Sequence, residues 1–160
     1  MSENDNPVLT KIIDGVGVMT LNRPDKFNCI SLGLMEGMSA AIEAFDNDPG
    51  VRVILLNAKG KTFCTGADLD EVMEARKSHD KLKVFIGRIH EVFRRLETSP
   101  LPVVVSVNGL ALAGGIEMMM ACDVAFAAES ARIGDQHAQY GLIPGGGGTH
   151  SAEDWIGKAF

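Results

Sequence analysis

Two glycine-containing loops each lie between a predicted strand and a predicted helix, where backbone N–H groups are available to bind an anion. The loops comprise residues 62–69 and 108–117. The small residues Ala67 and Gly114 let another group approach the backbone closely, and a helix start leaves unpaired N–H donors. Two such starts that face one point form an oxyanion hole. The alternative is two ordinary tight turns, because glycine before a helix is common.

A carboxylate, Glu117, lies in the first turn of a predicted helix that otherwise contains Gly, Ile, Met, Ala and Cys. An unpaired carboxylate in apolar surroundings is destabilising, so a buried one has a partner or a task. A glutamate held near a reacting carbon is a candidate general acid or base. The alternative is a first-turn glutamate that points to solvent and is stabilised by the helix dipole.

The elements that must position these residues alternate between strands and helices. Strands are predicted over 8–13, 18–21, 51–56, 103–107 and 124–128, and helices over about 31–46, about 68–77, from about 80 onward and over about 114–121. Asp14 and Gly15 predict a hairpin, Ser31 is the predicted cap of the first helix, and residues 59–66 are a predicted loop. This order predicts an α/β fold with parallel strand pairing and right-handed crossovers.

The composition is that of a folded, acidic protein. The 160 residues include 15 Lys and Arg against 21 Asp and Glu, a formal net charge of −6, and 46% are apolar. This length predicts one domain over residues 1–160. The acidic balance argues against a nucleic-acid partner or an anionic membrane.

Cysteine usage and the terminal sequence predict a cytoplasmic location. Cys29, Cys64 and Cys122 are odd in number and widely spaced, which is typical of reduced thiols. Residues 1–7 are acidic and polar, unlike a signal or transit peptide. The most apolar stretch, 101–128, is interrupted by polar residues and does not reach the length of a membrane span.

Several common catalytic and metal-binding motifs are incomplete. The second glycine loop has Walker A spacing, but Gly115 and Ile116 stand where Lys and Ser/Thr are required. His90 and Glu91 begin a zinc-protease pattern whose second His is replaced by Arg94. Neither Cys-x-x-Cys nor Gly-x-Ser-x-Gly occurs in the sequence. We therefore expect no metal and no redox cofactor.

Five segments in series resemble one protein family. They are residues 21–28, 63–69, 108–117, 123–127 and 140–149, and they include Phe-Cys-Thr-Gly-Ala-Asp-Leu and Asn-Gly-Leu-Ala-Leu-Ala-Gly-Gly-Ile-Glu. Over about residues 8–149 the chain resembles the crotonase (enoyl-CoA hydratase/isomerase) family. The resemblance implies an α/β fold built as a spiral of ββα repeats, and an enzyme that binds an acyl-CoA.

The resemblance also implies roles for individual residues. It places the two oxyanion-hole amides at Ala67 and Gly114, and a catalytic acid/base at Glu117. The implied substrate and CoA contacts are Lys26, Phe27, Gly66, Asp68 and Leu69. The CoA thioester enters as the substrate, so no separate cofactor is expected. Fixed donors that face an enolate-like oxyanion stabilise it by roughly 2.7–4 kcal/mol each in comparable sites.

The sequence departs from the family at the second acid/base position, where a hydratase usually has a second glutamate and this chain has His137. An imidazole donates or accepts a proton near neutral pH, so Glu117 and His137 are a candidate acid–base couple. The alternative is a histidine that only forms a hydrogen bond in the site wall. Asp135 is the alternative carboxylate for this position. An extended backbone would point its side chain the same way as that of His137, whereas a helical backbone would separate the two side chains.

The expected activity is hydration of a 2-enoyl-CoA by an enoyl-CoA hydratase-like lyase of fatty acid metabolism. Isomerisation by one carboxylate and hydrolysis assisted by His137 are alternatives, as is a non-catalytic fragment or acyl-CoA-binding subunit. Beyond Thr149 the family continues with helices that cover the acyl pocket and pack a trimer. The chain is expected to lack that part, and to form a homotrimer or hexamer where it is present. The sequence does not indicate which acyl group the substrate carries.

Overall fold

A computed structural model describes residues 6–148 as successive ββα turns. The elements in chain order are β1 (Val8–Ile13), β2 (Val16–Leu21), α1 (Leu32–Asp46), β3 (Val53–Ala58), β4 (Thr62–Cys64), α2 (Leu69–Ala75), α3 (His79–Glu97), β5 (Val103–Val107), β6 (Leu110–Leu112), α4 (Gly114–Met120), β7 (Val124–Ala127) and β8 (Arg132–Gly134). Short 3-10 helices cover Pro24–Lys26 and Ala138–Tyr140. The predicted spiral is confirmed. Thr149, the last residue of the fifth family-like segment, lies outside the described residues.

The strands form two sheets that run through the spiral. The larger sheet has the order β1-β2-β3-β5-β7 and the smaller one β4-β6-β8. Only β1 and β2 pair antiparallel among the described strands; the other pairs are parallel, as predicted. The predicted loop over 59–66 is wrong where Thr62–Cys64 form β4. Each strand of the smaller sheet has only three residues, which is too short to show a period of two.

Local sequence explains the first turn of the spiral. Asp14 and Gly15 have φ angles of 49° and 83°, as a two-residue hairpin turn requires. The Ser31 hydroxyl accepts a hydrogen bond from the backbone N–H of Leu34 at 3.1 Å, which confirms the predicted cap of α1. The second strand begins at Val16, two residues earlier than predicted, and β3 begins two residues later than predicted.

The core is built from residues of both sheets and of all four helices. Its largest fully buried side chains are Phe63, Phe85, Phe93, Met19, Leu21, Ile30, Leu34, Met35, Met38, Ile42, Ile54 and Leu56. Helix α4 is buried on one side only: Met118 is fully buried, whereas Met119 and Met120 are partly exposed. No helix among residues 6–148 is long and apolar enough to cross a membrane.

Candidate active site

A cleft of about 540 Å³ opens where the loop before α1, the start of α2, the start of α4 and the last described 3-10 helix meet. Its walls include six of the residues predicted for the site: Lys26, Phe27, Ala67, Asp68, Leu69 and His137. Further lining residues that sequence reasoning did not single out are Thr65, Leu112, Ala113, Gln136, Tyr140 and Leu142. The elements that carry the predicted residues therefore converge.

The backbone around Ala67 is fixed by a parallel bridge to Ile30. The N–H of Ile30 donates to the Gly66 carbonyl at 2.8 Å, and the Asp68 N–H donates to the Ile30 carbonyl at 2.7 Å. Because alternate peptide groups of an extended chain face opposite sides, the Ala67 N–H points away from Ile30. Within residues 6–148 it has no hydrogen-bond acceptor, which leaves it available on the cleft side.

The Gly114 N–H lies close to this amide. Gly114 is the first residue of α4, so its N–H has no acceptor within the helix, and none is present elsewhere in the described chain. A Cβ atom added at Gly114 would lie 3.3 Å from Gly66 Cα and 3.8 Å from Ala67 N. Gly66 has a φ of +95°, which a side chain would strain. The two glycines thus let the segments of both predicted donors approach each other.

Glu117 is buried, with 6% of its surface exposed, and is held by the glycine tract 145–148. Its Oε1 accepts hydrogen bonds from the backbone N–H groups of Gly146 at 2.7 Å and Gly148 at 2.9 Å. A Cβ atom at Gly146 would lie 2.8 Å from Glu117 Oε2. No role was predicted for this tract from the sequence. The feature that could have indicated a role is the run of glycines, because side chains there would prevent the amides from reaching the carboxylate.

His137 lies beside Glu117 with 11% of its side chain exposed, and its Nε2 is 3.6 Å from Glu117 Oε2. Its other ring nitrogen, Nδ1, is 2.6 Å from Asp135 Oδ1, which also accepts the His137 backbone N–H at 2.9 Å. His137 has helical backbone angles, yet Asp135 contacts it because the aspartate folds back onto its own turn. The backbone and then the ring of His137 hold the pKa of Asp135 below its usual range.

The predicted CoA-binding residues differ in how free their side chains are. Phe27 and Leu69 are exposed at the cleft. Lys26 Nζ is exposed and lies 3.8 Å from Asp70 Oδ2. The Asp68 carboxylate is buried and already paired: it accepts from Arg23 Nη2 at 2.9 Å and from the Asp70 N–H at 3.2 Å. Asp68 therefore holds the wall of the cleft, and its charge is not free to meet a ligand.

The Asp68–Arg23 pair predicts an acid-sensitive contribution to stability. Burial works to raise the pKa of Asp68, but hydrogen bonds from Arg23 and Cys29 and the Arg23 charge together hold it below its usual range. A carboxyl with a lowered folded pKa stabilises above its unfolded value of about 3.9, and this contribution is lost as pH falls through the folded value. Asp68→Asn should lower the free energy of unfolding by about 1–2 kcal/mol at neutral pH.

Urea unfolding of both proteins across pH checks this prediction. The difference in the free energy of unfolding between the parent and Asp68→Asn should disappear as pH falls below about 4, because the parent carboxyl then becomes neutral. Asp25→Asn, which changes an exposed carboxylate, is the matched control and should leave the curve unchanged. A gap that stays constant down to acidic pH would contradict the assignment.

The three cysteines should differ sharply in reactivity between the folded and unfolded chain. Burial raises the pKa of Cys64 and Cys122 to about 12. Burial and then the Asp68 charge raise the pKa of Cys29 to about 11. Since the thiolate is the reactive form, iodoacetamide should leave Cys64 and Cys122 unmodified in the native protein, label Cys29 slowly, and label all three in urea. Mass spectrometry of the peptides measures this; rapid native labelling of Cys64 would contradict the packing of β4.

Comparisons with known proteins agree with this geometry. The family model described as enoyl-CoA hydratase/isomerase matches residues 11–160. The short-chain-enoyl-CoA hydratase of Clostridium acetobutylicum is 36% identical over 157 residues, which are 97% of this chain and 59% of that protein. Human mitochondrial methylglutaconyl-CoA hydratase is 36% identical over 146 residues, which are 91% of this chain and 42% of that protein.

A crystal structure of enoyl-CoA hydratase from Bacillus anthracis superposes with a TM-score of 0.89 at 33% identity, covering 94% of this chain and 58% of that one. The chain spans about half the length of the curated relatives it matches. The likeness thus extends over almost all of this chain. On these grounds the chain belongs to the enoyl-CoA hydratase/isomerase family.

Proposed function

We propose that this protein is an enoyl-CoA hydratase, which adds water to the double bond of a 2-enoyl-CoA. The observation that carries the proposal is the placement of Glu117 and His137. A buried carboxylate oxygen and an imidazole nitrogen lie 3.6 Å apart, next to the segments that bear the two unpaired amides. This arrangement offers two proton-transfer groups beside one oxyanion site, which is what hydration requires.

The two amides supply the first part of the mechanism. The N–H groups of Ala67 and Gly114 donate to the thioester carbonyl oxygen. When the hydroxyl of water bonds to the β-carbon, the electrons of the double bond move toward that oxygen and form an enolate. Donors that are already oriented stabilise this charge without reorganisation. Each donor is expected to contribute roughly 2.7–4 kcal/mol, as in other oxyanion holes.

Glu117 and His137 supply the proton transfers. Glu117 Oε1 is occupied by the glycine tract, so Oε2 is the oxygen that works with His137. His137 Nε2 takes a proton of the attacking water and passes it to Glu117 Oε2, which delivers it to the α-carbon. The imidazole and the carboxylate are then in the forms in which they began. Water is consumed, a 3-hydroxyacyl-CoA forms, and the protein is unchanged.

The cleft wall supplies the substrate contacts in this proposal. Lys26 is placed to meet CoA phosphates, and the exposed Phe27 and Leu69 offer apolar surface to the rest of the CoA. Gly66 allows the segments that carry the two amides to approach each other, and Asp68 holds the wall of the cleft through its pair with Arg23. No metal or further cofactor enters the proposal. Homotrimeric or hexameric assembly and a cytoplasmic location stay predictions.

The imidazole at the second position also favours a second candidate function. A histidine that contacts a carboxylate can activate water for attack on a thioester carbonyl, which gives an acyl-CoA hydrolase. Isomerisation needs one base only, and Glu117 alone can serve. A role in acyl-CoA binding without turnover is the alternative from another class.

Three substrates distinguish these functions. The protein is incubated separately with crotonyl-CoA, a 3-enoyl-CoA and butyryl-CoA, and the products are identified by chromatography. A hydratase converts crotonyl-CoA to 3-hydroxybutyryl-CoA. Conversion of the 3-enoyl-CoA to a 2-enoyl-CoA alone indicates an isomerase, and free CoA from butyryl-CoA indicates a hydrolase. Tight binding of all three with no product would contradict an enzymatic role.

A further inference from the structure

Asp135 contacts His137 on the side of the ring opposite Glu117. Its Oδ1 is 2.6 Å from Nδ1 of the ring, and it also accepts the His137 backbone N–H at 2.9 Å. The His137 side chain is 11% exposed, and that of Asp135 is 59% exposed. One oxygen of a surface carboxylate thus contacts both the backbone and the ring of a largely buried histidine.

This contact determines which ring nitrogen carries the proton. The pKa of Asp135 is held below its usual range by the His137 backbone N–H and then by its ring, so the carboxyl is ionised at neutral pH. An ionised carboxylate only accepts hydrogen bonds. The hydrogen of a neutral imidazole must therefore lie on Nδ1, which leaves the lone pair on Nε2, the nitrogen that faces Glu117.

We propose that Asp135 is a positioning residue that keeps His137 in the Nδ1–H tautomer and turns its Nε2 lone pair toward Glu117. In this form Nε2 and Glu117 Oε2 are two acceptors 3.6 Å apart. One water molecule can then donate one O–H to each of them. In the form of the reaction that uses two glutamates, the two carboxylates accept the O–H groups of the water. Here Asp135 enables a histidine to replace one of those glutamates. The inference rests on the proposed function.

Asp135 also balances the charge that develops during the reaction. When the water hydroxyl bonds to the β-carbon, its proton moves to Nε2 and the ring becomes an imidazolium. The carboxylate on Nδ1 stabilises that cation without taking its proton, as in other carboxylate–histidine pairs. The proton then leaves through Glu117 Oε2 to the α-carbon, and the ring returns to the same tautomer.

Ring nitrogen chemical shifts of ¹⁵N-histidine-labelled protein test the tautomer directly. The His137→Gln variant identifies the His137 signals, and circular dichroism checks the fold of each variant. The parent should carry its proton on Nδ1, and Asp135→Ala should lose that preference. Glu129→Gln, which changes another exposed carboxylate, should leave the spectrum unchanged. Retention of the Nδ1–H form in Asp135→Ala would overturn the proposal.

Kinetics with crotonyl-CoA test the consequence for catalysis. Asp135→Asn should lower kcat about tenfold, a part of the ~10²–10⁴-fold supplied by a general base. KM should stay within about twofold, since Asp135 does not meet the substrate in this account. An active parent whose kcat is unchanged in Asp135→Asn would overturn the proposal. A parent that is inactive on every substrate would reject the proposed function, and the tautomer measurement would still decide the role of Asp135.

Discussion

A Glu117→Gln variant should lose hydration of crotonyl-CoA by about 10²–10⁴-fold, which is the range that a general acid or base contributes. The amide oxygen can still accept the hydrogen bonds that Gly146 and Gly148 donate to Oε1, so the fold and the glycine tract should persist. What the amide lacks is an oxygen that exchanges a proton at the Oε2 position. The loss should appear in kcat, with KM nearly unchanged.

Three measurements make this result interpretable. Loss of the enoyl-thioester absorbance gives the rate, urea unfolding gives the stability, and butyryl-CoA binding by calorimetry shows that the cleft is intact. Glu36→Gln, on the exposed face of α1, is the matched control and should keep the parent rate. Full activity in Glu117→Gln would remove the carboxylate from the mechanism.

A Gly115→Ala variant should lose about 3 kcal/mol of the free energy of unfolding, because the close approach of α4 to β4 leaves no room for a side chain. A Cβ atom at Gly115 would lie 2.2 Å from the Cys64 carbonyl oxygen and 2.9 Å from its carbonyl carbon. Both are backbone atoms, so relief requires α4 or β4 to move. Any such shift also moves the Gly114 amide, so activity should fall with stability.

The same substitution at another helical glycine should have the opposite sign. Gly87 lies inside α3, is exposed, and has no atom within 4 Å of an added Cβ. Gly87→Ala should therefore raise the free energy of unfolding by about 0.5–1 kcal/mol through helix propensity alone. Urea unfolding of both variants measures the contrast. A Gly115→Ala protein as stable as the parent would show that α4 does not pack on β4 as described.

The elements with a strong local pattern could be predicted from the sequence, and the smaller sheet could not. Helix α1 has an apolar stripe and the Ser31 cap, and β5 is a valine-rich run whose alternate residues are buried in the larger sheet. Strands β4, β6 and β8 are held by pairing with distant segments, and their three residues carry no periodicity of their own. The boundaries of β2 and β3 were displaced by two residues because pairing, not composition, decides where a strand begins.

Part of the candidate site could likewise be predicted from the sequence, and part of it could not. Ala67, Gly114 and Glu117 were predicted from glycine loops and from the family resemblance, because each lies within a short, ordered motif. The tract that holds Glu117 comes 29 and 31 residues later in the chain, and no local rule connects the two. The contact of Asp135 with His137 depends on a turn that neither of the two predicted backbone geometries contained.

The proposed mechanism requires one thioester to contact the two amides and the acid–base pair at once. A crystal structure of the protein with butyryl-CoA, which cannot be hydrated, shows whether it does. We expect the thioester oxygen to accept hydrogen bonds from the N–H groups of Ala67 and Gly114, with the α- and β-carbons facing Glu117 and His137. A thioester oxygen bound elsewhere, or an acyl chain directed away from Glu117, would contradict it.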